Sequence, residues 1–427
     1  MAILGMNRAK SAGAKETRRG GLTTALFYAL ALLFFTSTNS LYALQGSMRT
    51  ILYLGIVLAV LVLIFLTWRT VPISRTFLRG FAIWPAFVVL TFALIGVGGS
   101  SFGGIGTGIS MTLIIALPLL LHLLLQDGQL RSLLAAYCDI SFLFAALSLV
   151  LWVLGPIAGV ISPNCSIIST WNAQGIEMPT PGYFGLVYQT QTIDFLGGHF
   201  IRNTGIFPEA PMYSYALCIA LLFSYLCGLK RPLKNAVIGI TVLSTVSTTG
   251  IIVVFALVTF VLTEASSKAT GGWRTLMLMA IGLLAVAIVC LVISLFNTKL
   301  DSSSGSIRFD DYRAGFLAWQ NNLIFGNGLG NSDVVKQYMS GFRSYNLGFS
   351  NSPMDILARG GILFMLVFLV QIVGLFRWPS TRGKLAAGLF VFLWAVTIVT
   401  TLPITLFFFS FGTLFLMARD RPFPVQD

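Results

Sequence analysis

The chain has 427 residues, a mean hydropathy of +0.87 and only 10% charged residues. Soluble domains carry about 25% charged residues, so this composition excludes a soluble globular protein. The net charge of +13 indicates lysines and arginines retained in cytoplasmic loops, and it does not indicate a nucleic-acid partner. The sequence predicts an all-α polytopic membrane protein, with residues 1–427 forming one integral membrane domain.

Apolar runs long enough to cross a bilayer recur along the chain. A basic tail, residues 1–21, precedes the first run, and without a convincing small-residue cleavage site we expect a retained first helix. We predict about twelve spans, near 22–44, 51–67, 77–96, 109–125, 133–155, 211–229, 235–246, 250–264, 275–296, 356–376, 385–401 and 404–418.

Two of these boundaries depend on chain breaks, one at "STTG" and one at Pro403. With both breaks, most of the 27 lysines and arginines lie on one side of the membrane, and both termini are cytoplasmic. Without one break, "KRPLK" and "RWPSTRGK" lie on opposite faces, against the positive-inside bias. The charge pattern therefore predicts both breaks.

This topology leaves two long external loops, 156–210 and 297–355. In the second loop, "DYRAGFLAWQNNLIF" has helical apolar spacing and predicts an amphipathic helix at the outer surface. The stretch "GVGGSSFGGIGTG" has no Lys-Ser/Thr ending, so it is not a phosphate loop. We interpret it as a flexible outer connection.

The predicted external segments hold six arginines that depart from the positive-inside bias: Arg49, Arg202, Arg308, Arg313, Arg343 and Arg359. Arg202 stands just before the predicted sixth span, and Arg308 and Arg313 flank the acidic pair of the second loop. Guanidinium groups bind phosphate in a bidentate way, so arginines that converge from two loops would form a diphosphate clamp. Such a clamp stabilises a leaving diphosphate without a metal. An interfacial salt bridge between Arg202 and Glu209 explains that pair equally well.

Carboxylates beside these arginines offer a general base for a sugar hydroxyl. The candidates are Glu209, Asp310 and Asp311. The alternative is that Asp310 and Asp311 form an exposed pair with Arg308, which would contribute little.

The other titratable groups carry weaker signals. His199 is a single loop histidine and a candidate cavity residue, while His122 and Asp139 favour structural roles within spans. No cluster of histidine, cysteine and acidic residues has metal-ligand spacing, so we predict no metal.

Four segments, in order, resemble the O-antigen polymerase and ligase superfamily, in particular Wzy-type polysaccharide repeat-unit polymerases. "RNTGIFPEAPMYSYALCIALLF" resembles an Arg-x-x-Gly-x-Phe-x-Glu-Pro stretch that enters a span. "VLSTVSTTGIIVVFALV" resembles a short turn with a Ser/Thr-Gly signature. "RFDDYRAGFLAWQNNLIFGNGLGN" is similar to an Arg-led helix that ends in Phe-Gly-x-Gly-Leu-Gly. "NSPMDILARGGILFMLVFLV" is similar to a span with an Asn-Ser start.

The resemblance implies a metal-independent glycosyltransferase of GT-C-like architecture that needs no cofactor. Its partners would be the bilayer, polyprenyl-diphosphate-linked oligosaccharide as donor and acceptor, and a chain-length regulator as a candidate. The implied location is the bacterial cytoplasmic membrane, with the active site facing outside. Thr248, Thr249 and Asn351 fall within the matched segments and are implied cavity residues.

The chain departs from the family pattern at three places. Glu209-Ala210-Pro211 stands where the family has Glu-Pro. Ser247 to Gly250 lacks the arginine that ligases carry at the short turn, and no histidine follows His199. The short turn and the missing histidine favour a polymerase over a ligase. A ligase, and a flippase or transporter for lipid-linked sugars, remain the alternatives.

Overall fold

The computed structural model describes residues 2–71, 73–99, 103–169, 177–195, 198–300, 303–331, 333–343, 348–397 and 399–417. For 2–19, 76, 194, 195, 198, 199, 287–289, 291–300 and 303–305, only the backbone is described.

This part of the chain is mostly helical, and its α-helices follow one another with short connections except in two segments. The helices are α1 (Ala2–Ser37), α2 (Met48–Trp68), α3 (Arg75–Gly98), α4 (Ile105–Gln126), α5 (Leu130–Trp152), α6 (Ala210–Leu226), α7 (Pro232–Ser244), α8 (Thr248–Lys268), α9 (Gly272–Leu300), α10 (Ser303–Gln320), α11 (Ser352–Leu375), α12 (Thr381–Ala395) and α13 (Pro403–Met417).

Seven of the described helices are long and apolar enough to cross a membrane, counting α1 from Gly20. They are α1, α2, α3, α4, α5, α8 and α11. The helices α6, α7 and α13 are apolar but shorter. The prediction of a multi-pass helical membrane protein is thus confirmed. The count of twelve spans and the GT-C-like architecture remain predictions.

Both predicted chain breaks are present, and each one reverses the chain. Between α7 and α8, Val246 has a left-handed φ of +49°, a conformation that β-branched residues rarely adopt. A Cβ on Gly250 of α8 would lie only 2.8 Å from Val242 of α7. Across the second break, the Phe390 ring of α12 stacks on Phe408 of α13 at 4.0 Å. The charge pattern therefore located both hairpins correctly.

Ion pairs place the two basic loops at the same end of the bundle. Arg382, which begins the last hairpin, donates hydrogen bonds of 2.9 and 2.7 Å to Glu264 at the end of α8. Tyr225, near the end of α6, donates to the same carboxylate at 2.9 Å. The segments "KRPLK" and "RWPSTRGK" therefore adjoin, as the charge pattern predicted. The starts of α6, α8 and α11 lie at the opposite end.

Asp139 has the structural role that the sequence favoured. Its carboxylate pairs with Arg231 and Lys234, both at 2.6 Å, and accepts a hydrogen bond from Tyr28 at 3.1 Å. His122 is buried and stacks on Phe77 with ring centroids 3.6 Å apart. Both residues therefore serve helix packing.

The segment between α5 and α6 contains strands, which the all-α prediction did not include. A three-stranded antiparallel sheet has the order β1 (Cys165–Ser169), β2 (Met178–Tyr183), β3 (Val187–Tyr188), and a hairpin pairs β4 (Thr192–Phe195) with β5 (Gly198–Ile201). These strands span two to six residues, too few for the period-two pattern that reveals a strand in sequence. They form because backbone groups pair across the segment.

The predicted surface helix exists, but its position and buried face differ from the expectation. The helix α10 ends at Gln320, so "NNLIF" lies outside it. Its buried face contains Asp311, Ala314 and Ala318, while Phe309 is 74% exposed. The aromatic side chains therefore face outward, because the loop that follows α10 covers its acidic and small residues.

Gly98 and Gly99, at the start of the glycine-rich stretch, lie against the segment after α10, which the interpretation as a flexible connection did not anticipate. A Cβ at Gly98 would lie 2.3 Å from the Phe325 ring, and one at Gly99 would lie 3.3 Å from Gly328. Asn322 also donates to the Gly98 carbonyl at 3.1 Å. Glycine permits this close backbone approach, which fixes the segment after α10 against the end of α3.

Candidate functional site

Arg202 binds the turn between α7 and α8. Its Nε donates to the Thr245 carbonyl at 2.8 Å, and one terminal nitrogen donates to the Val246 carbonyl at 3.1 Å. The neighbouring Asn203 donates from its backbone and side chain to Ser244, at 3.2 and 3.0 Å. These carbonyls end α7 and have no partner within the helix. Arg202 therefore caps α7 with a positive charge, which the helix dipole favours.

Gln191 joins Arg202 to the start of α6. The hairpin of β4 and β5 sets Arg202 opposite Gln191, whose backbone carbonyl accepts from the Arg202 backbone N–H at 3.0 Å. The Gln191 side-chain oxygen accepts from Arg202 at 3.3 Å and from the Ala210 N–H at 3.0 Å. No sequence pattern singled out Gln191, because a glutamine in a polar loop carries no distinctive signal.

The electrostatics of Arg202 include Glu209. Burial lowers the pKa of Arg202 to about 10, and the Glu209 charge acts in the opposite direction. The guanidinium is therefore charged at neutral pH. Glu209 itself is half-buried at the N-cap of α6, and Pro211 lies in the first turn, where a missing N–H costs little. The Glu-Ala-Pro departure from the family pattern is thus compatible with the helix start.

Asp310 and Asp311 pair with Arg343, and the exposed pair with Arg308, given above as the alternative, does not form among the described residues. The Arg343 guanidinium lies 2.6 Å from Asp311 and 3.6 Å from Asp310. Its side chain is fully buried. No local pattern pointed to Arg343 as their partner, because the pair forms between α10 and a loop over thirty residues away. The acidic pair is therefore a buried anchor.

The remaining carboxylate oxygens also hold the loop. Asp310 accepts from the Ser340 N–H at 3.0 Å and from its hydroxyl at 2.5 Å. Asp311 accepts from the Ser350 N–H at 2.9 Å and from its hydroxyl at 2.6 Å. Burial raises the pKa of Asp310, but the Ser340 hydrogen bonds and the charges of Arg343 and Arg313 outweigh burial and lower that pKa. Carboxylates held in this way are poor candidates for a general base.

Arg308 and Asn351 line one cleft, together with Tyr312, Ser350 and Val396. The cleft lies where α10 meets the start of α11 and the end of α12. Asn351 caps α11, since its side-chain oxygen accepts from the Met354 N–H at 3.1 Å. Its Nδ2 is buried and has no hydrogen-bond partner among the described residues. Two predicted site residues therefore meet here.

The other predicted residues lie outside the cleft lining. Arg313 is 53% exposed and donates to Ser340 at 3.2 Å, on the side of α10 that holds Asp310. Thr248 and Thr249 form the first turn of α8, directly after the turn that Arg202 caps. His199 lies in β5, and its side chain is outside the part of the chain that the structure describes.

The helix α11 is interrupted at Gly361, which has a φ of +60°. Backbone groups freed by the interruption bond to the segment after α10. The Ile362 N–H donates to the Leu323 carbonyl at 2.9 Å, and the Asn327 N–H donates to the Ala358 carbonyl at 3.0 Å. Backbone groups at membrane depth require such internal partners. This break was not predicted, because a glycine within an apolar run does not by itself indicate a break in a helix.

An ion pair precedes this break. Asp355 pairs with Arg359 one turn later and accepts from the Thr400 hydroxyl at 2.9 Å. Asp355 was missed because the predicted span began one residue after it.

The site thus consists of two clusters at the same end of the bundle. One is built on Arg202 and the turn between α7 and α8, and the other on Arg308 and the start of α11. Among the described residues, no group of three histidine, cysteine or acidic side chains is placed to hold a metal. Comparison with models of protein families, with curated proteins and with solved structures finds no match for this chain.

Proposed function

We propose that the protein is a polymerase of lipid-linked oligosaccharide repeat units, such as those of an O-antigen, capsule or exopolysaccharide. The growing glycan leaves polyprenyl diphosphate and is transferred to the non-reducing end of an incoming lipid-linked repeat. The reaction takes place at the outer face of the bacterial cytoplasmic membrane. In this proposal the basic loops face the cytoplasm, so α6, α8 and α11 begin at the outer face.

One observation carries the proposal: the four segments that resemble the polymerase family meet in pairs. The first two join where Arg202 donates to the Thr245 and Val246 carbonyls. The last two join at the cleft of Arg308 and Asn351 and at the hydrogen bond from Asn327 to Ala358. Segments that share a site must meet in this way, whereas chance similarities need not.

The proposed roles follow from the contacts. Arg308 supplies positive charge to the leaving diphosphate, because no described side chain forms an ion pair with it. Arg202 orders the turn between α7 and α8 and holds a second positive charge near Glu209. Glu209 remains the candidate base for the acceptor hydroxyl, since Asp310 and Asp311 are committed to the loop that Arg343 anchors.

The transporter alternative draws on the interruption in α11, because transporters bind substrates at broken helices. Here the freed groups at Ala358 and Ile362 already bond to the segment after α10. The interruption is therefore filled by protein, and this favours the enzyme over the transporter.

The test is to delete the gene and to size the surface glycan, with lipid-linked intermediates extracted in parallel. Glycan reduced to single repeats supports the polymerase. Long chains held on lipid would instead indicate a ligase, and unextended repeats trapped inside would indicate a flippase.

Complementation then tests the residues. Arg308→Ala should abolish chain extension in a protein that still accumulates in membranes. Lys336→Ala is the matched control, because Lys336 is an exposed cation of the same loop, paired with Asp333 at 2.7 Å. Full-length polymer with Arg308→Ala would contradict the assigned role.

A further inference from the structure

The cleft at the start of α11 contains a buried donor with no described partner. Asn351 is 2% exposed, and its Nδ2 lacks a hydrogen-bond acceptor in the described chain. A buried donor without a partner destabilises the fold unless a ligand supplies the acceptor. The first backbone N–H groups of α11 and the positive end of its dipole adjoin the same point. This combination suits an anion that accepts hydrogen bonds.

The charges around the cleft also favour an anion. Three carboxylates lie nearby, and arginines other than Arg308 pair with all of them. Arg343 pairs with Asp310 and Asp311, Arg313 faces Asp310, and Arg359 pairs with Asp355. Arg308, which lines the cleft, pairs with no described carboxylate. The positive charge of Arg308 is therefore available to a ligand.

An aromatic stripe runs along α10 beside the cleft. Phe309, Tyr312 and Phe316 recur at intervals of three and four residues, which places them on one face of the helix. They are 74%, 47% and 45% exposed. Tyr312 belongs to both features, because it also lines the cleft. The helix packs on α11, a candidate span, through Gly315, where a Cβ would lie 2.5 Å from Met354.

We propose that the cleft and the stripe together bind a prenyl diphosphate. The diphosphate accepts hydrogen bonds from Asn351 Nδ2 and Arg308, and the prenyl chain lies along Phe309, Tyr312 and Phe316. This inference rests on the proposed function for the choice of a prenyl chain. It adds the direction of entry: the lipid reaches the site along α10, with its chain toward the bilayer and its phosphates at the start of α11.

The experiment measures binding of a fluorescent C20 prenyl diphosphate to the full-length protein in detergent. Asn351→Asp keeps the capping oxygen, and aspartate is a good N-cap, so α11 stays intact. The variant replaces the Nδ2 donor by a carboxylate oxygen, and we expect at least tenfold weaker binding. Phe309→Ser combined with Phe316→Ser should also weaken binding at least tenfold.

Two controls separate head-group binding from chain binding. Phe342→Ser alters a phenylalanine that is 59% exposed but lies outside α10, and it should bind like the wild type. Inorganic diphosphate should compete for the cleft equally well in the wild type and in the Phe309/Phe316 variant. The proposal is overturned if Asn351→Asp binds the probe like the wild type, if the phenylalanine variant does, or if phosphatidylglycerol vesicles compete as strongly as unlabelled prenyl diphosphate.

These outcomes are distinct from failure of the proposed function. Normal probe binding by Asn351→Asp would refute the lipid site even if gene deletion reduces the glycan to single repeats. Conversely, the expected losses of binding would support the lipid site even if deletion leaves the polymer length unchanged.

Discussion

Removal of the Arg343 side chain should release the loop that follows α10 from that helix. The guanidinium is fully buried, contacts Asp311 at 2.6 Å, and donates to the Ile307 carbonyl at 3.2 Å and to the Gly348 carbonyl. Arg343→Ala would leave two buried carboxylates, Asp310 and Asp311, without their shared cation. The loop and helix would then separate to hydrate those charges.

The size of this effect follows from burial. Breaking a buried ion pair by removing one partner costs about 3–5 kcal/mol. Since about 1.4 kcal/mol corresponds to a factor of ten, local opening of the loop should become at least about a hundredfold more frequent. Arg313→Ala is the matched control, because Arg313 faces the same Asp310 at 3.6 Å but is 53% exposed. An exposed pair contributes about 0–1 kcal/mol.

Hydrogen–deuterium exchange of the purified protein in detergent measures the opening directly. Peptides from 306–320 and 333–343 should lose protection in Arg343→Ala and keep it in Arg313→Ala. Equal exchange in the two variants would refute the buried anchor. Asp311→Asn adds a separate test: unchanged exchange together with complete loss of chain extension would show that this carboxylate is catalytic, contrary to the structural assignment.

Three further predictions follow from the described contacts. Gly374→Ala would place a methyl group 2.0 Å from the Gly412 carbonyl oxygen. It should lower the free energy of unfolding by about 1–3 kcal/mol, measured as a lower Tm in detergent. The control is Gly388→Ala, whose methyl group would meet open space and should leave Tm unchanged. The pKa of the Asp310 carboxyl is lower in the folded protein than in the unfolded chain. The ionised carboxylate therefore contributes its full stabilisation above the unfolded pKa of about 3.9. That stabilisation is lost as the pH falls through the folded-state pKa. Exchange of 333–343 should therefore rise only under acid conditions, and a similar rise in Asp310→Asn would contradict this origin. Arg308→Lys keeps the charge but loses the planar fork that binds phosphate in a bidentate way, so polymer extension should fall to an intermediate level; unimpaired extension would argue against bidentate contact.

The sequence by itself determined the class of the protein and the position of both hairpins. Hydropathy identifies apolar helices because burial in lipid depends on each segment's own composition. The breaks at "STTG" and Pro403 followed from the lysines and arginines of the connecting loops, whose bias is also a local property. The same count predicts an external position for Arg308 and Asn351, but it does not predict that they meet in one cleft.

Only the tertiary structure decided which groups pair. Arg202 binds backbone carbonyls, which every residue carries, so no side-chain pattern could reveal its partners. Asp310 and Asp311 bind Arg343 and not the neighbouring Arg308, because burial selects the cation that the folded loop brings between them. The strands between α5 and α6 depend likewise on hydrogen bonds between residues that are not neighbours in the chain, and so do the backbone bonds at the interruption of α11. Such bonds are fixed by the fold and not by local sequence.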